Sequence, residues 1–275
     1  MSTNHPNQHP QPCPHRAHVL CLSGHDPSGG AGIQADIEAL ASIGCHALPV
    51  ITALTCQDTH NVAAVSPQDP DWVERCVRTL AADMPIHAIK LGMLGSAAMA
   101  ERVARLAAEL QQPLIIDPVL RAGGGSALSD DALLLVLRQS LLPAAHVITP
   151  NLPEAQRLAG LDSHASADQC AKVLLQLTPA VLITGAHDQT DAVINRLYQR
   201  DGSQQQWSCT RLPGDYHGSG CTLAAHLAGL LAQGIALPVA CEQALQLTWH
   251  SLLNADQAGR GQWLPRRIRP EQSAC

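Results

Sequence analysis

Residues 18–54 read HVLCLSGHDPSGGAGIQADIEALASIGCHALPVITAL, and this stretch decides the fold. It opens and closes on short apolar runs, which are typical of strands buried on both faces. Between them Ile33, Ile37 and Leu40 recur at helical spacing. The stretch is therefore predicted to form a strand–helix–strand unit with a glycine-rich connection.

The same alternation continues along the chain. Apolar strand candidates occupy 18–24, 46–54, 88–94, 113–120, 146–151 and 180–185. Helices are predicted over 96–112, 219–233 and 239–254, and AVINRLYQR and QQQWSCTRL around DGS indicate an edge hairpin at 192–212. This order predicts an α/β fold: one domain, 18–275, with a mostly parallel sheet and helices on both faces. A disordered tail rich in Pro, His and Gln, 1–17, precedes it.

Composition excludes several classes of protein. A net charge of −6 on 275 residues provides no basic surface for nucleic acid. No apolar run reaches the roughly 18 residues of a membrane span, and the N-terminus lacks the apolar centre of a secretory signal. A cytoplasmic protein is expected, without nucleic-acid or membrane partners. Most of the ten cysteines are expected to be reduced, small and buried.

The glycine-rich loop resembles a dinucleotide fingerprint only in part. Gly30 to Ala35 match G-x-G-x-x-A, but Asp26-Pro27-Ser28 separate the match from the strand, and no acid follows about 20 positions on. A Walker A motif is also absent. A loop that closes over a small ligand is favoured over a nicotinamide site. Asp36, on the next helix, is either a polar ligand contact or a solvated acid.

Oxygen-bearing side chains follow two later strands. In TPNLPEA, Asn151 and Glu154 lie three residues apart after a strand, and Asp117 ends LIID on the same rim. An amide and an acid at this place suit water-mediated Mg²⁺. The alternative is that Asn151 caps a helix and Glu154 completes a capping box.

The segment HGSGCTLAAH, 217–226, carries the sharpest signal. Leucines at helical spacing after Cys221 place a helix start near Ser219 or Gly220. The amides of Gly218 to Cys221 would then face an anion at the positive end of the helix dipole. A thiol there is expected to have a depressed pKa and to accept a proton from a hydroxyl. The alternative is a small buried cysteine.

Taken together, six motifs in chain order resemble the hydroxymethylpyrimidine/phosphomethylpyrimidine kinases of thiamine biosynthesis. They are SGHDPSGGAGIQAD, VITALTCQDT, KLGMLG, IIDPVL, VITPNLPEA and HGSGCTLAAHLAGLLAQG. The resemblance implies a ribokinase-like fold. It also implies ATP-dependent phosphorylation of 4-amino-5-hydroxymethyl-2-methylpyrimidine (hydroxymethylpyrimidine below) and then of its monophosphate, with Mg²⁺, in a homodimer.

The resemblance also assigns roles to residues. Gly24, Asp36 and Gln57 would hydrogen-bond the aminopyrimidine, while Met93 and Val119 would pack on its ring. The anion hole would consist of Gly218, Ser219, Gly220 and Cys221, with Cys221 as the base. The residues that would bind ATP are Asn151, Glu154, Thr184 and Asp117, with Mg²⁺ held through water by Glu154 and Asn151.

Two departures concern the ATP end of the site. Many relatives have a lysine after the fourth strand, where Arg121 is the nearest cation here, and a Lys-Gly-Gly-His where this chain has Thr184–His187. The acceptor motifs do not depart. Two alternatives stay open: pyridoxal kinase activity on the same fold, and a non-catalytic pyrimidine-binding regulator.

Overall fold

The protein is described by a computed structural model that covers residues 16–120, 130–185 and 191–268. The strands are β1 (His18–His25), β2 (His46–Gln57), β3 (Val62–Pro67), β4 (Ala88–Leu91), β5 (Leu114–Ile116), β6 (Val147–Ile148), β7 (Ala180–Ile183), β8 (Ala192–Gln199) and β9 (Gln204–Thr210). The helices are α1 (Gly32–Ser42), α2 (Pro70–Asp83), α3 (Ala97–Leu110), α4 (Asp131–Val136), α5 (Leu142–Ala144), α6 (Leu152–Ala159), α7 (Ala167–Leu174), α8 (Ser219–Ala232) and α9 (Leu237–Leu253). A π-helical turn, Leu137–Leu141, joins α4 to α5.

The strands form one sheet in the order β3-β2-β1-β4-β5-β6-β7-β8-β9. The six central strands, β2-β1-β4-β5-β6-β7, pair in parallel. Antiparallel strands lie at both edges: β3 beside β2, and the hairpin of β8 and β9 beside β7. The predicted parallel sheet and edge hairpin are both confirmed.

Two apolar layers cover the sheet. Leu20 and Leu22 of β1 face a core that α2 to α7 cover, whereas Val19 and Cys21 face a second core under α1, α8 and α9. Because both faces are buried, the strands are continuous apolar runs rather than alternating ones. Without phenylalanine, the core is filled mainly by leucine, isoleucine, valine and alanine. The predicted α/β class with helices on both faces is confirmed.

The lengths of the strands differ from prediction. The inner strands β4, β5 and β6 end earlier than the apolar runs that predicted them, because their last residues turn into the loops at the sheet edge. Conversely, β2 continues to Gln57, since it pairs there with β3. No pattern predicted β3, a largely exposed edge strand without a buried apolar face.

Two expectations about burial were only partly correct. Ile37, counted in the apolar stripe of α1, is 41% exposed. All eight cysteines in the part of the chain described are free thiols, but four of them are buried: Cys21, Cys45, Cys170 and Cys241.

None of the helices described is both long and apolar enough to cross a membrane. The predicted tail, apart from its last two residues, and Arg121 lie outside the described residues.

Candidate active site

The predicted site residues gather at the carboxyl edge of the parallel strands. Gly24 lies near the end of β1, Met93 beyond β4, Asp117 directly after β5, Asn151 beyond β6 and Thr184 directly after β7. Ligands of open α/β sheets bind along this edge. The residues predicted for the site therefore lie at the end of the sheet where such ligands bind.

The glycine-rich loop, residues 24–32, folds tightly upon itself. Gly32 has φ +61°, and a Cβ there would lie 2.3 Å from the Gly24 carbonyl oxygen. A Cβ at Gly24 would lie 2.4 Å from Cε of Met93. Met93 therefore packs directly against Gly24, so two of the residues predicted for the acceptor pocket lie side by side.

Asp26 holds the glycine-rich loop in shape and ties it to His217. Its Oδ1 accepts from the Ser28 amide at 2.8 Å, and its Oδ2 accepts from the Ala31 amide at 2.7 Å. The same Oδ2 lies 2.9 Å from Nε2 of His217. Burial alone would raise the pKa of Asp26, but hydrogen bonds from His217 and Ser28 outweigh it and lower the pKa to about 2.

This pKa predicts a pH-dependent contribution to stability. Because the folded state favours ionised Asp26, the stabilisation is complete above pH 4 and is lost as pH falls towards 2. We expect Asp26→Asn to lower the free energy of unfolding by about 2 kcal/mol at pH 7, with a smaller difference from wild type near pH 3. Urea titrations at the two pH values measure both. Asp256→Asn, which removes an exposed carboxylate beside Arg266, is the control. A penalty for Asp26→Asn that does not change with pH would contradict this assignment.

Asp36 belongs to a buried ion pair. Its Oδ1 lies 2.7 Å from Nζ of Lys90, and its Oδ2 accepts from the Ser23 hydroxyl at 2.6 Å. Lys90 Nζ also donates to Ser23 Oγ at 3.0 Å. Both charged side chains are fully buried, so the alternative of a solvated helix acid is wrong. Burial alone would lower the pKa of Lys90. Interactions with neighbouring groups, of which Asp36 is the strongest, raise the pKa of Lys90 instead.

The start of α8 has the backbone geometry that the predicted anion hole requires. Gly218 is the N-cap with φ +81°, and α8 begins at Ser219, as the leucine spacing predicted. The first amides of a helix have no intrahelical acceptor, so those of Ser219, Gly220 and Cys221 are available to a ligand. Gly220 is exposed, and a Cβ there would lie 3.5 Å from Oδ1 of Asp117. The helix start therefore faces the end of β5.

The expected depressed pKa of Cys221 is wrong. Burial and the neighbouring Asp117 carboxylate raise the pKa of Cys221 to about 12, although Lys90 and the Gly32 amide oppose the shift. The pKa of Asp117 is also raised by burial, while Lys90 and a hydrogen bond from Cys221 lower it. Cys221 is thus a protonated thiol between the glycine-rich loop and Asp117.

Asn151 and Glu154 form the capping box that was the alternative to a metal site. The Glu154 amide donates to Asn151 Oδ1 at 2.9 Å, and the Asn151 amide donates to Glu154 Oε2 at 3.1 Å. Burial and nearby Asp117 raise the pKa of Glu154 to about 8. Asp117 Oδ2 is buried without a hydrogen-bond partner. Two acids crowded in this way form an environment that a cation would stabilise.

The remaining predicted residues lie around this centre. Gln57 is half-buried at the end of β2, and Val119 is half-buried in the turn after Asp117. The Thr184 amide donates to the Pro150 carbonyl at 3.0 Å, which places Thr184 beside Asn151. Thr184 also lines a cavity of about 260 Å³ between α6, α7 and β8.

Four residues of the site were not predicted: Lys90, Asp26, His217 and Arg267. Lys90 lies inside the motif KLGMLG, where a charged residue in a buried strand was an available signal. His217 and Arg267 reach the glycine-rich loop from 191 and 237 residues away. Short sequence motifs do not predict contacts between residues so far apart in the chain.

Comparison with known proteins identifies the family that this chain resembles. The family profile described as phosphomethylpyrimidine kinase matches residues 26–265. A hydroxymethylpyrimidine/phosphomethylpyrimidine kinase of Synechococcus elongatus is 39% identical over 249 residues, which are 89% of this chain and 94% of that protein. One of Streptomyces coelicolor is 38% identical over 231 residues, 82% of this chain and 85% of that protein.

A solved structure of a different kinase is also similar. The ADP complex of pyridoxal kinase from Bacillus subtilis superposes with a TM-score of 0.84 and is 27% identical. The match covers 92% of this chain and 98% of that one. The ribokinase-like fold implied by the motifs is confirmed.

Proposed function

The chain belongs to the phosphomethylpyrimidine kinase family, and we propose that it phosphorylates hydroxymethylpyrimidine and then its monophosphate in thiamine biosynthesis, with ATP as phosphoryl donor. One observation carries the proposal most directly. The start of α8 lies against the glycine-rich loop at Gly30 and also faces the carboxylate of Asp117. We infer that the acceptor would bind towards the glycine-rich loop and the ATP phosphates towards Asp117, with the anion hole between them.

The anion hole would bind the phosphoryl group in transit. Phosphoryl transfer needs mainly positioning and neutralisation of charge, and the amides of Ser219, Gly220 and Cys221 supply fixed positive dipoles for this. Cys221 would accept the hydroxyl proton. Because its thiol is protonated, Cys221 could do so only as its own S–H proton passes to the Asp117 carboxylate, to which the thiol donates a hydrogen bond.

The acceptor pocket would hold the pyrimidine between Met93 and Val119. Gln57 would pair with a ring nitrogen and the exocyclic amine through its amide. Gly24 would present its backbone, and its missing side chain leaves room for Met93 beside it. Asp36 would contact the substrate with an orientation that Lys90 and Ser23 impose.

The donor end would hold the ATP phosphates near Asn151, Glu154, Asp117 and Thr184. The buried, unpartnered Asp117 Oδ2 and the raised pKa of Glu154 both fit a bound cation. Since the capping box engages Asn151 and Glu154, we assign Mg²⁺ to them through water. When bound, Mg²⁺ would neutralise phosphate charge.

A coupled assay of ADP release tests the acceptor. We expect a higher kcat/KM with hydroxymethylpyrimidine than with pyridoxal. The similarity to a pyridoxal kinase is a specific reason to measure both acceptors, and side activity on pyridoxal is consistent with the proposal. A clear preference for pyridoxal would overturn the assignment of substrate. Absence of turnover with Mg-ATP and either acceptor would favour a non-catalytic binding protein.

Assembly and location are proposals from the same resemblance. We propose a homodimer in the cytoplasm. Light scattering on the purified full chain measures the mass directly, and a value near one chain mass would contradict the dimer.

A further inference from the structure

Arg267 joins three segments of the site, although it lies far from all of them in sequence. Its side chain is 1% exposed. Nε donates to Oγ1 of Thr222 at 2.8 Å, Nη1 lies 3.0 Å from Oε2 of Glu38, and Nη2 donates to the carbonyl of Gly30. One guanidinium therefore contacts α8, α1 and the glycine-rich loop at once.

The contact with Thr222 extends to the anion hole. The Thr222 hydroxyl donates to the Gly218 carbonyl at 2.8 Å while it accepts from Arg267. Gly218 is the N-cap of α8, so this relay fixes the peptide that begins the hole. Arg267 thus reaches the anion hole through one hydroxyl group.

The contact with Gly30 fixes the opposite wall. A Cβ at Gly218 would lie only 2.0 Å from the Gly30 oxygen, so the loop and the anion hole touch at this point. Arg267 Nη2 binds that same oxygen. The guanidinium therefore holds the two backbones together where they meet, and the planar fork of arginine is suited to two acceptors in fixed directions.

We infer that Arg267 is a positioning residue, which sets the separation between the glycine-rich loop and the anion hole without touching substrate. The inference rests on the proposed function, because the loop carries the acceptor and the hole carries the phosphoryl group. Loss of Arg267 would let the two walls move apart. The acceptor would then reach the phosphoryl group less often, and water would take its place more often.

The test compares Arg267→Met and Arg267→Lys with Arg266→Met in the full chain. Arg266 is the matched control, because it is half exposed and pairs with Asp256. Each variant is assayed for kcat, for the KM of both substrates and for coupling, the ratio of phosphorylated pyrimidine to ADP released. Circular dichroism and thermal melting establish that each variant is folded at the assay temperature.

We expect Arg267→Met to lower kcat about 10- to 100-fold, with smaller changes in KM and a coupling ratio below that of wild type. Arg267→Lys should recover part of both quantities, because an ammonium keeps the charge but not the fork. Arg266→Met should match wild type.

Three results would overturn the inference. One is wild-type kcat and coupling in folded Arg267→Met. Another is a loss of rate that follows the folded fraction while coupling is unchanged, which would mean a purely structural role. The third is an equal effect of Arg266→Met. Failure of the wild type to phosphorylate the pyrimidine would instead refute the proposed function, and that result is separate.

Discussion

Gly218→Ala should lower kcat for both phosphorylations by about 100- to 1000-fold while the protein stays folded. A Cβ at this position would lie 2.0 Å from the Gly30 oxygen and 2.8 Å from the Gly30 carbonyl carbon, and both atoms belong to backbone that cannot rotate away. Gly218 also has φ +81°, which alanine adopts at a cost. The start of α8 or the glycine-rich loop must therefore shift.

The expected loss of kcat follows from a displacement of the amides at the start of α8. The amides of Ser219 to Cys221 are useful only where the charge of the transferring group develops, and a displacement near 1 Å can reduce the rate about 100-fold. Both steps use the same hole, so both should lose rate together.

Gly234→Ala is the matched control for Gly218→Ala. Gly234 has φ +82° just after α8, but a Cβ there meets no atom within 4 Å. The control therefore adds the same backbone strain without the collision. Steady-state kinetics of both steps, with melting temperatures, measure the comparison. An active Gly218→Ala, or an equally inactive Gly234→Ala, would contradict the assignment of the anion hole.

Cys221→Ala should separate the two phosphorylations. For the first step we expect kcat to fall by about 100-fold, because a positioned proton acceptor is lost. The second acceptor is a phosphate monoester, whose second pKa near 6 leaves the attacking oxygen ionised at neutral pH. That step needs no base, so its loss should be clearly smaller.

A buried thiol in α9 provides the control for Cys221→Ala. Burial raises the pKa of Cys241, in α9, to about 12, as it does for Cys221. Cys241→Ala should leave the ratio of the two rates unchanged. Single-turnover measurements with each acceptor give that ratio. Equal losses at both steps in Cys221→Ala would mean that Cys221 only shapes the hole, and no loss would exclude a part in proton transfer.

The motifs predicted where the site residues lie better than they predicted the charge state and pKa of those residues. Apolar runs and the polar or glycine-rich turns that follow them were enough to place Gly24, Asp117 and Asn151 on one edge of the sheet. The reason is that neighbouring parallel strands end at the same edge. The start of α8 followed from leucine spacing and a Gly-Ser-Gly turn. These features are local, and local sequence contains them.

What could not be predicted depends on contacts across the fold. The dipole of α8 argued for a lowered pKa at Cys221, but burial beside Asp117 outweighs it, and that neighbour lies 104 residues earlier in the chain. Likewise, the sequence left open whether Asp36 contacts a ligand or is solvated, because its buried partner Lys90 lies on a different element of the fold. Strand β3 was not predicted, because a largely exposed edge strand lacks the regular spacing of apolar residues from which strands are recognised.

Product analysis tests the central claim most directly. Purified full-length protein is incubated with Mg-ATP and hydroxymethylpyrimidine, and the products are separated and identified by mass spectrometry over time. The account predicts that the monophosphate appears first and is then converted to the diphosphate. Release of ADP without either phosphorylated pyrimidine, or absence of any turnover, would contradict it.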